Sequence, residues 1–106
     1  MQETIMADFD YTHSDRKLTI FMGADLDYKG FQDMRRVVQK YENHCDACHV
    51  DLSQTRGITS SGLGVLLLIR QGLKAKNYNI RVKCPNLAQL LKSAHLHEHF
   101  IIEHVE

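Results

Sequence analysis

Three stretches of this chain carry side chains whose types and spacing could do chemistry. The first is Asp51-Leu52-Ser53-Gln54-Thr55-Arg56-Gly57-Ile58-Thr59-Ser60-Ser61-Gly62-Leu63-Gly64-Val65-Leu66-Leu67-Leu68-Ile69-Arg70. It reads as a strand end, a short loop and a hydroxyl-rich entry into a very apolar helix. The first turn of a helix leaves backbone N–H groups unpaired and lies at the positive end of the macrodipole. Ser60 and Ser61 stand there, in a place suited to a phosphate or another anion. Ser60 also reads simply as the N-cap, since a serine oxygen accepts an N–H bond at that position. Both can hold. A phosphoserine brings about −1.5 to −2 charges, which the positive helix end tolerates, so its effect would fall on a partner's surface rather than on the fold.

The second stretch is His44-Cys45-Asp46-Ala47-Cys48-His49. Cys45-x-x-Cys48-His49 matches the pattern of c-type haem attachment, and the Cys/His cluster suggests zinc. A strand over about Ala47 to Ser53 would instead send Cys48 and His49 to opposite faces, with Cys48 in the core beside Val50 and Leu52. A closed zinc site needs four convergent ligands. No second Cys pair is present, and Cys84 falls on a core-facing position of another strand. The third stretch holds His95, His97 and His99, which alternate and with His104 could bind a metal weakly. As polar residues of a connector before a last strand they need no ligand. The expectation is no metal and no cofactor. No nucleophile–base–orienter set and no Walker-type Gly-rich loop is visible, so the expectation is also a protein that is not an enzyme.

The elements that must position these residues follow from periodicity. Thr4 to Tyr11 alternates Ile5, Ala7, Phe9 and Tyr11 against Met6, Asp8 and Asp10, and predicts a half-buried strand. His13-Ser14-Asp15-Arg16 reads as a turn, and Lys17 to Met22 as a second strand completing a hairpin. Gly23-Ala24-Asp25-Leu26-Asp27 breaks the pattern. Tyr28 to Tyr41 predicts a helix with Phe31, Met34, Val38 and Tyr41 as its apolar stripe and Asp27 as N-cap. A helix from about Ser60 to Lys74 follows the third strand, with Asn77 as its end signal. Tyr78, Ile80, Val82 and Cys84 alternate as a fourth strand. Pro85 opens a short helix over Asn86 to Ala94 with Leu87, Leu90 and Leu91 as its apolar side, and Phe100 to Val105 closes the chain as a strand. The order β-β-α-β-α-β-α-β favours an α/β domain, a mixed sheet with helices packed mainly on one face.

Length and composition agree with one globular domain over residues 1–106, with 43% hydrophobic and 25% charged residues. Thirteen basic residues balance thirteen acidic ones, which argues against a nucleic-acid module driven by bulk charge. The densest apolar run, Leu63 to Ile69, is far too short to span a membrane. Met1-Gln2-Glu3-Thr4 lacks the basic and apolar regions of an export signal, and three cysteines, an odd number, suggest reduced thiols in the cytoplasm.

The phase of the central helix separates two sides. At about 100° per residue, Val65, Leu66, Ile69 and Leu73 cluster on one side, assigned to the core. Leu63 and Leu67 fall on another, with Arg70, Gln71 and Lys74, close to the line of Ser60. Ser60, Leu63, Leu67, Arg70 and Lys74 thus form a candidate docking face, unless a neighbouring loop covers the leucines. Gly62 and Gly64 lower helix propensity and would let another backbone approach closely.

These residues resemble the STAS domains, and among them the small stand-alone anti-sigma factor antagonists. The family's signature is an Asp-Leu-Ser strand end followed by Asp-Ser-Ser-Gly-Leu-Gly leading into an apolar helix; here Asp51-Leu52-Ser53 precedes Thr59-Ser60-Ser61-Gly62-Leu63-Gly64. Gly23-Ala24-Asp25-Leu26-Asp27 is similar to its Gly-x-Leu-Asp turn with one extra residue, and Cys84-Pro85-Asn86 with Leu90-Leu91-Lys92 and Leu96 to Phe100 to its closing helix and strand. The resemblance covers nearly the whole chain. It implies a bacterial partner-switching protein in signal transduction and transcription regulation. A serine kinase that doubles as anti-sigma factor phosphorylates the serine after the Asp, which releases that partner, and a serine phosphatase resets it. Carried over, the acceptor is Ser60, with Ser61 the second choice. The partner-binding set is Asp27, Thr59, Ser60, Ser61, Gly62, Leu63, Leu67, Arg70 and Lys74. Thr59 replaces the family's Asp and removes a carboxylate beside the acceptor. The alternative within the same fold is a non-switching STAS subunit of a lipid-transport or other multiprotein complex.

Overall fold

The computed structural model describes residues 2–5 and 9–105. Six strands form one sheet in the order β1-β2-β3-β5-β7-β8, from β1 (Gln2–Ile5), β2 (Phe9–Ser14), β3 (Lys17–Met22), β5 (Ala47–Leu52), β7 (Asn77–Val82) and β8 (Ile101–His104). β2 runs antiparallel to its two neighbours β1 and β3, whereas β3, β5, β7 and β8 run parallel. The parallel strands need crossovers, which are α1 (Phe31–Tyr41), α2 (Ser60–Gly72) and α3 (Pro85–Ser93). Each crossover steps to the next strand in the same direction. With a fixed handedness of connection, all three helices then land on one face of the sheet.

The buried parity of the strands identifies that face. Leu18, Ile20 and Met22, then Cys48, Val50 and Leu52, then Tyr78, Ile80 and Val82 are all buried, in one cluster with Val37, Val38, Leu66, Ile69, Leu87 and Leu91 of the helices. On the opposite parity Phe21 and Ile101 are exposed and His49 and Asp51 half-buried. The expected mixed sheet with helices mainly on one face is the observed architecture.

Several boundaries differ from expectation. The single strand expected over Thr4 to Tyr11 is replaced by two antiparallel strands with Ile5 opposite Asp10, and its residues 6–8 lie outside the described ones. Alternation alone cannot show where a chain reverses. Tyr28–Gly30 form a 3₁₀ turn, so α1 begins later and its buried stripe is Met34, Val37, Val38 and Tyr41, while Phe31 stays exposed. The tighter turn shifts the helical phase before the first α-turn. Asp27 does not cap α1; its Oδ1 accepts from Lys29 N at 2.9 Å and so caps the 3₁₀ turn. Leu90 is exposed because α3 packs over β7 and the edge strand β8, where the sheet covers only Leu87 and Leu91. α2 stops at Gly72, short of Lys74, with Leu73 already extended.

The β2–β3 hairpin turns on Asp15 and Arg16, both at positive φ (53° and 60°) between paired Ser14 and Lys17. A two-residue loop of this hand matches strand twist but strains residues other than glycine. Tertiary contacts hold it: Arg16 Nε lies 3.1 Å from Asp46 Oδ2, and the Asp46 amide donates to the Arg16 carbonyl at 2.7 Å.

Candidate functional site at the start of the central helix

The loop before α2 is anchored by a contact that strand patterns do not announce. β4 (Asp25–Leu26) pairs in parallel with β6 (Gly57–Ile58), joining the Gly23–Asp27 turn to the loop after β5. Buried Thr55 donates its hydroxyl to the Gly23 carbonyl at 2.7 Å, and the Arg56 amide donates to the Ala24 carbonyl at 2.8 Å. The Thr59 amide then donates to the Leu26 carbonyl at 3.1 Å. Asp27 and Thr59 follow directly on the paired Leu26 and Ile58, so the two turns meet at the helix start.

Thr59, not Ser60, is the N-cap. Its backbone is extended, and its Oγ1 accepts the Gly62 amide at 3.1 Å. Ser60 is therefore the first helical residue, exposed together with Thr59 and Ser61. Aspartate and threonine share the oxygen that caps a helix, so the change at position 59 removes a charge while keeping the bond. The Ser60 hydroxyl is not the capping group.

Gly62 faces inward. A Cβ there would collide with the Leu26 carbonyl, so its close approach is to this chain's own backbone. Gly64 has open space where a Cβ would be. Val65, Leu66, Ile69 and Leu73 are buried as the helix phase required. Leu63 and Leu67 are half-buried and lean on the edge of the core. Arg70 turns away from Ser60: its Nε donates to the His99 carbonyl at 3.0 Å, and its guanidinium sits 4.2 Å from the Tyr78 ring centroid. Lys74 Nζ lies 3.4 Å from Glu42 Oε2, beyond the end of α1. Among the residues singled out, the structure thus gathers Asp27, Thr59, Ser60 and Ser61 at one end of α2, places Leu63 and Leu67 along it, and sends Arg70 and Lys74 into separate intramolecular contacts.

Two cations not singled out from sequence lie on the loops that follow β5 and β7. Arg56 and Lys83 line a depression of ≈ 550 Å³ with Gln54, Thr55 and Pro85. It opens past the C-terminal ends of β5 and β7, where parallel sheets present their loops. That rule was the available signal.

The Cys45–His49 stretch has a different environment. Cys45 and Cys48 are both buried, and Cys48 lies on the core face while half-buried His49 lies on the other. Burial pushes both thiols up from their ordinary range; at Cys45 the charge of Arg16 opposes this and that of Asp46 adds to it, and at Cys48 the neighbouring Cys45 adds to it. They are held as protonated thiols. His49 is shifted down, first by burial and then by Lys17, with Glu103 opposing.

No family model matches the sequence, and no curated protein matches it by sequence. Among solved structures it is similar to the anti-sigma factor antagonist SpoIIAA in its unphosphorylated form, with a TM-score of 0.73 at 13% identity over 92% of this chain and 88% of that one. No helix among the described residues is long and apolar enough to cross a membrane. The chain has the fold of that antagonist.

Proposed function

We propose that this protein is a non-enzymatic, cytoplasmic partner-switching regulator that binds an anti-sigma factor or related serine kinase through the start of α2. Phosphorylation of Ser60, with Ser61 as second choice, releases the partner, and a phosphatase resets the cycle. The observation that carries this reading is the division of labour at residues 59 and 60. Thr59 supplies the capping oxygen, which leaves the hydroxyl of exposed Ser60 to a kinase. Support also comes from the likeness in fold to an anti-sigma factor antagonist. Asp27, Ser61, Leu63 and Leu67 complete the docking surface around Ser60, whereas buried Gly62, expected on that surface, only supports it from within by its contact with the Leu26 carbonyl. Arg70 and Lys74 contribute at its edge only if their contacts to His99 and Glu42 open.

The test pairs the purified protein with a serine kinase of the anti-sigma factor class and ATP, and locates phosphate by mass spectrometry. Modification at Ser60 is expected, and Ser60→Asp should bind the kinase more weakly by about tenfold or more, since it adds charge to an apolar contact. No modification at Ser60 or Ser61, with equal binding by wild type and Ser60→Asp, would sink the switch. Ser60→Ala that changes nothing, beside Leu67→Asp that abolishes assembly, would mark a non-switching subunit instead.

A further inference from the structure

The geometry points to a solvent-open site for one divalent transition-metal ion of the zinc class, formed by His95, His97 and Glu98 between α3 and β8. An extended connector would have placed His95, His97 and His99 along one face. Residues Leu96–Glu98 instead form a 3₁₀ turn, in which positions i and i+3 eclipse. His95 Nδ1 consequently lies 3.0 Å from Glu98 Oε2, and the His97 ring centroid lies 5.9 Å from that of His95. One ligand atom from each of the three falls within 4.8 Å of the others. Four-coordinate zinc with bonds of roughly 2.0–2.2 Å holds its ligand atoms about 3.4 Å apart. Exposed side chains reach that spacing by small rotations.

The backbone beneath needs no rearrangement. Leu96 is buried between the two histidines, and its carbonyl accepts the amides of His99 at 3.0 Å and Phe100 at 2.9 Å. His95 is held at φ 62°, a left-handed conformation unfavourable for a residue with a Cβ. The Glu98 amide donates to the His95 carbonyl at 3.1 Å, which fixes the two ligating residues relative to each other. Two imidazoles and one carboxylate suit zinc, nickel or copper, whereas magnesium prefers oxygen ligands throughout. Three protein ligands leave a fourth position to water.

The experiment uses the untagged full chain after chelator treatment, titrated with zinc by calorimetry and checked for metal content. One zinc per chain is expected, with His97→Ala and Glu98→Gln each weakening binding by about tenfold or more. His104→Ala should leave it unchanged, because His104 lies on β8 against the Lys83 carbonyl. Zinc should raise the unfolding midpoint of wild type and not of His97→Ala, and magnesium should not compete. Absence of saturation below about 1 mM zinc would overturn the assignment. So would binding that survives His97→Ala with Glu98→Gln in one chain, which would place the ion elsewhere.

Discussion

Gly62 and Gly64 stand two residues apart in one helix, and the structure predicts opposite outcomes for the same substitution. Neither has a positive φ, so alanine suits the backbone at both. Placing alanine for glycine in a helix interior stabilises by about 1 kcal/mol. At Gly64 nothing opposes this, because a Cβ there meets open space. At Gly62 the new methyl would strike the Leu26 carbonyl, which is held by the Thr59 amide and by the β4–β6 pairing. Overpacking of a closed contact costs roughly 1–3 kcal/mol. Displacing the carbonyl enough to weaken its hydrogen bond adds about 1 kcal/mol. The net expectation is a loss of roughly 1–3 kcal/mol for Gly62→Ala and a gain of about 0.5–1 kcal/mol for Gly64→Ala. For a domain of this length, 1 kcal/mol corresponds to roughly 4–5 °C in Tm, so the two variants should differ by about 6–20 °C. Urea and thermal unfolding followed by circular dichroism measure both. A Gly62→Ala protein as stable as wild type would refute the packing of α2 against Leu26, and with it the placement of Ser60 beside Asp27.

Substitutions at two further positions, Thr59 and His49, carry predictions of their own. Thr59→Ala removes the cap and should cost about 1 kcal/mol, whereas Thr59→Asp keeps a capping oxygen, adds a carboxylate at the positive helix end and should equal or exceed wild type by up to ~1 kcal/mol; chemical denaturation of the three proteins decides. His49 is shifted below its ordinary value of 6.5, so the unfolded chain binds its proton more readily than the native one. Stability therefore rises with pH from the folded value up to about 6.5 and is lost on acidification through that window. The wild-type Tm should fall further than that of His49→Gln between about pH 7 and pH 5, and parallel curves would count against the shift.

Much of the fold was legible in single residues. Alternation in Lys17–Met22, Ala47–Leu52 and Asn77–Val82 predicted which side chains face the core, and the phase of α2 predicted Val65, Leu66, Ile69 and Leu73 as buried. These patterns are local, because burying one face of an element imposes its period on the sequence. The site was legible only in part. Asp51 to Gly64 marked the helix start, yet the choice of Thr59 over Ser60 as cap depends on where the chain turns helical. That point is set by the pairing of Leu26 with Ile58, residues far apart in sequence.

The sequence by itself determined the period of each element, the hydroxyl-rich entry to α2 and the balance of charge. Only the tertiary structure decided that β1 and β2 are separate strands, that Arg70 reaches His99 and Tyr78, and that Gly62 admits the Leu26 carbonyl. It also gathered His95, His97 and Glu98 on one turn. The reason is common to all of these. Periodicity reports which face of an element is buried, whereas the partner that buries it is chosen by contacts across the chain, and those leave no repeating mark on the residues between.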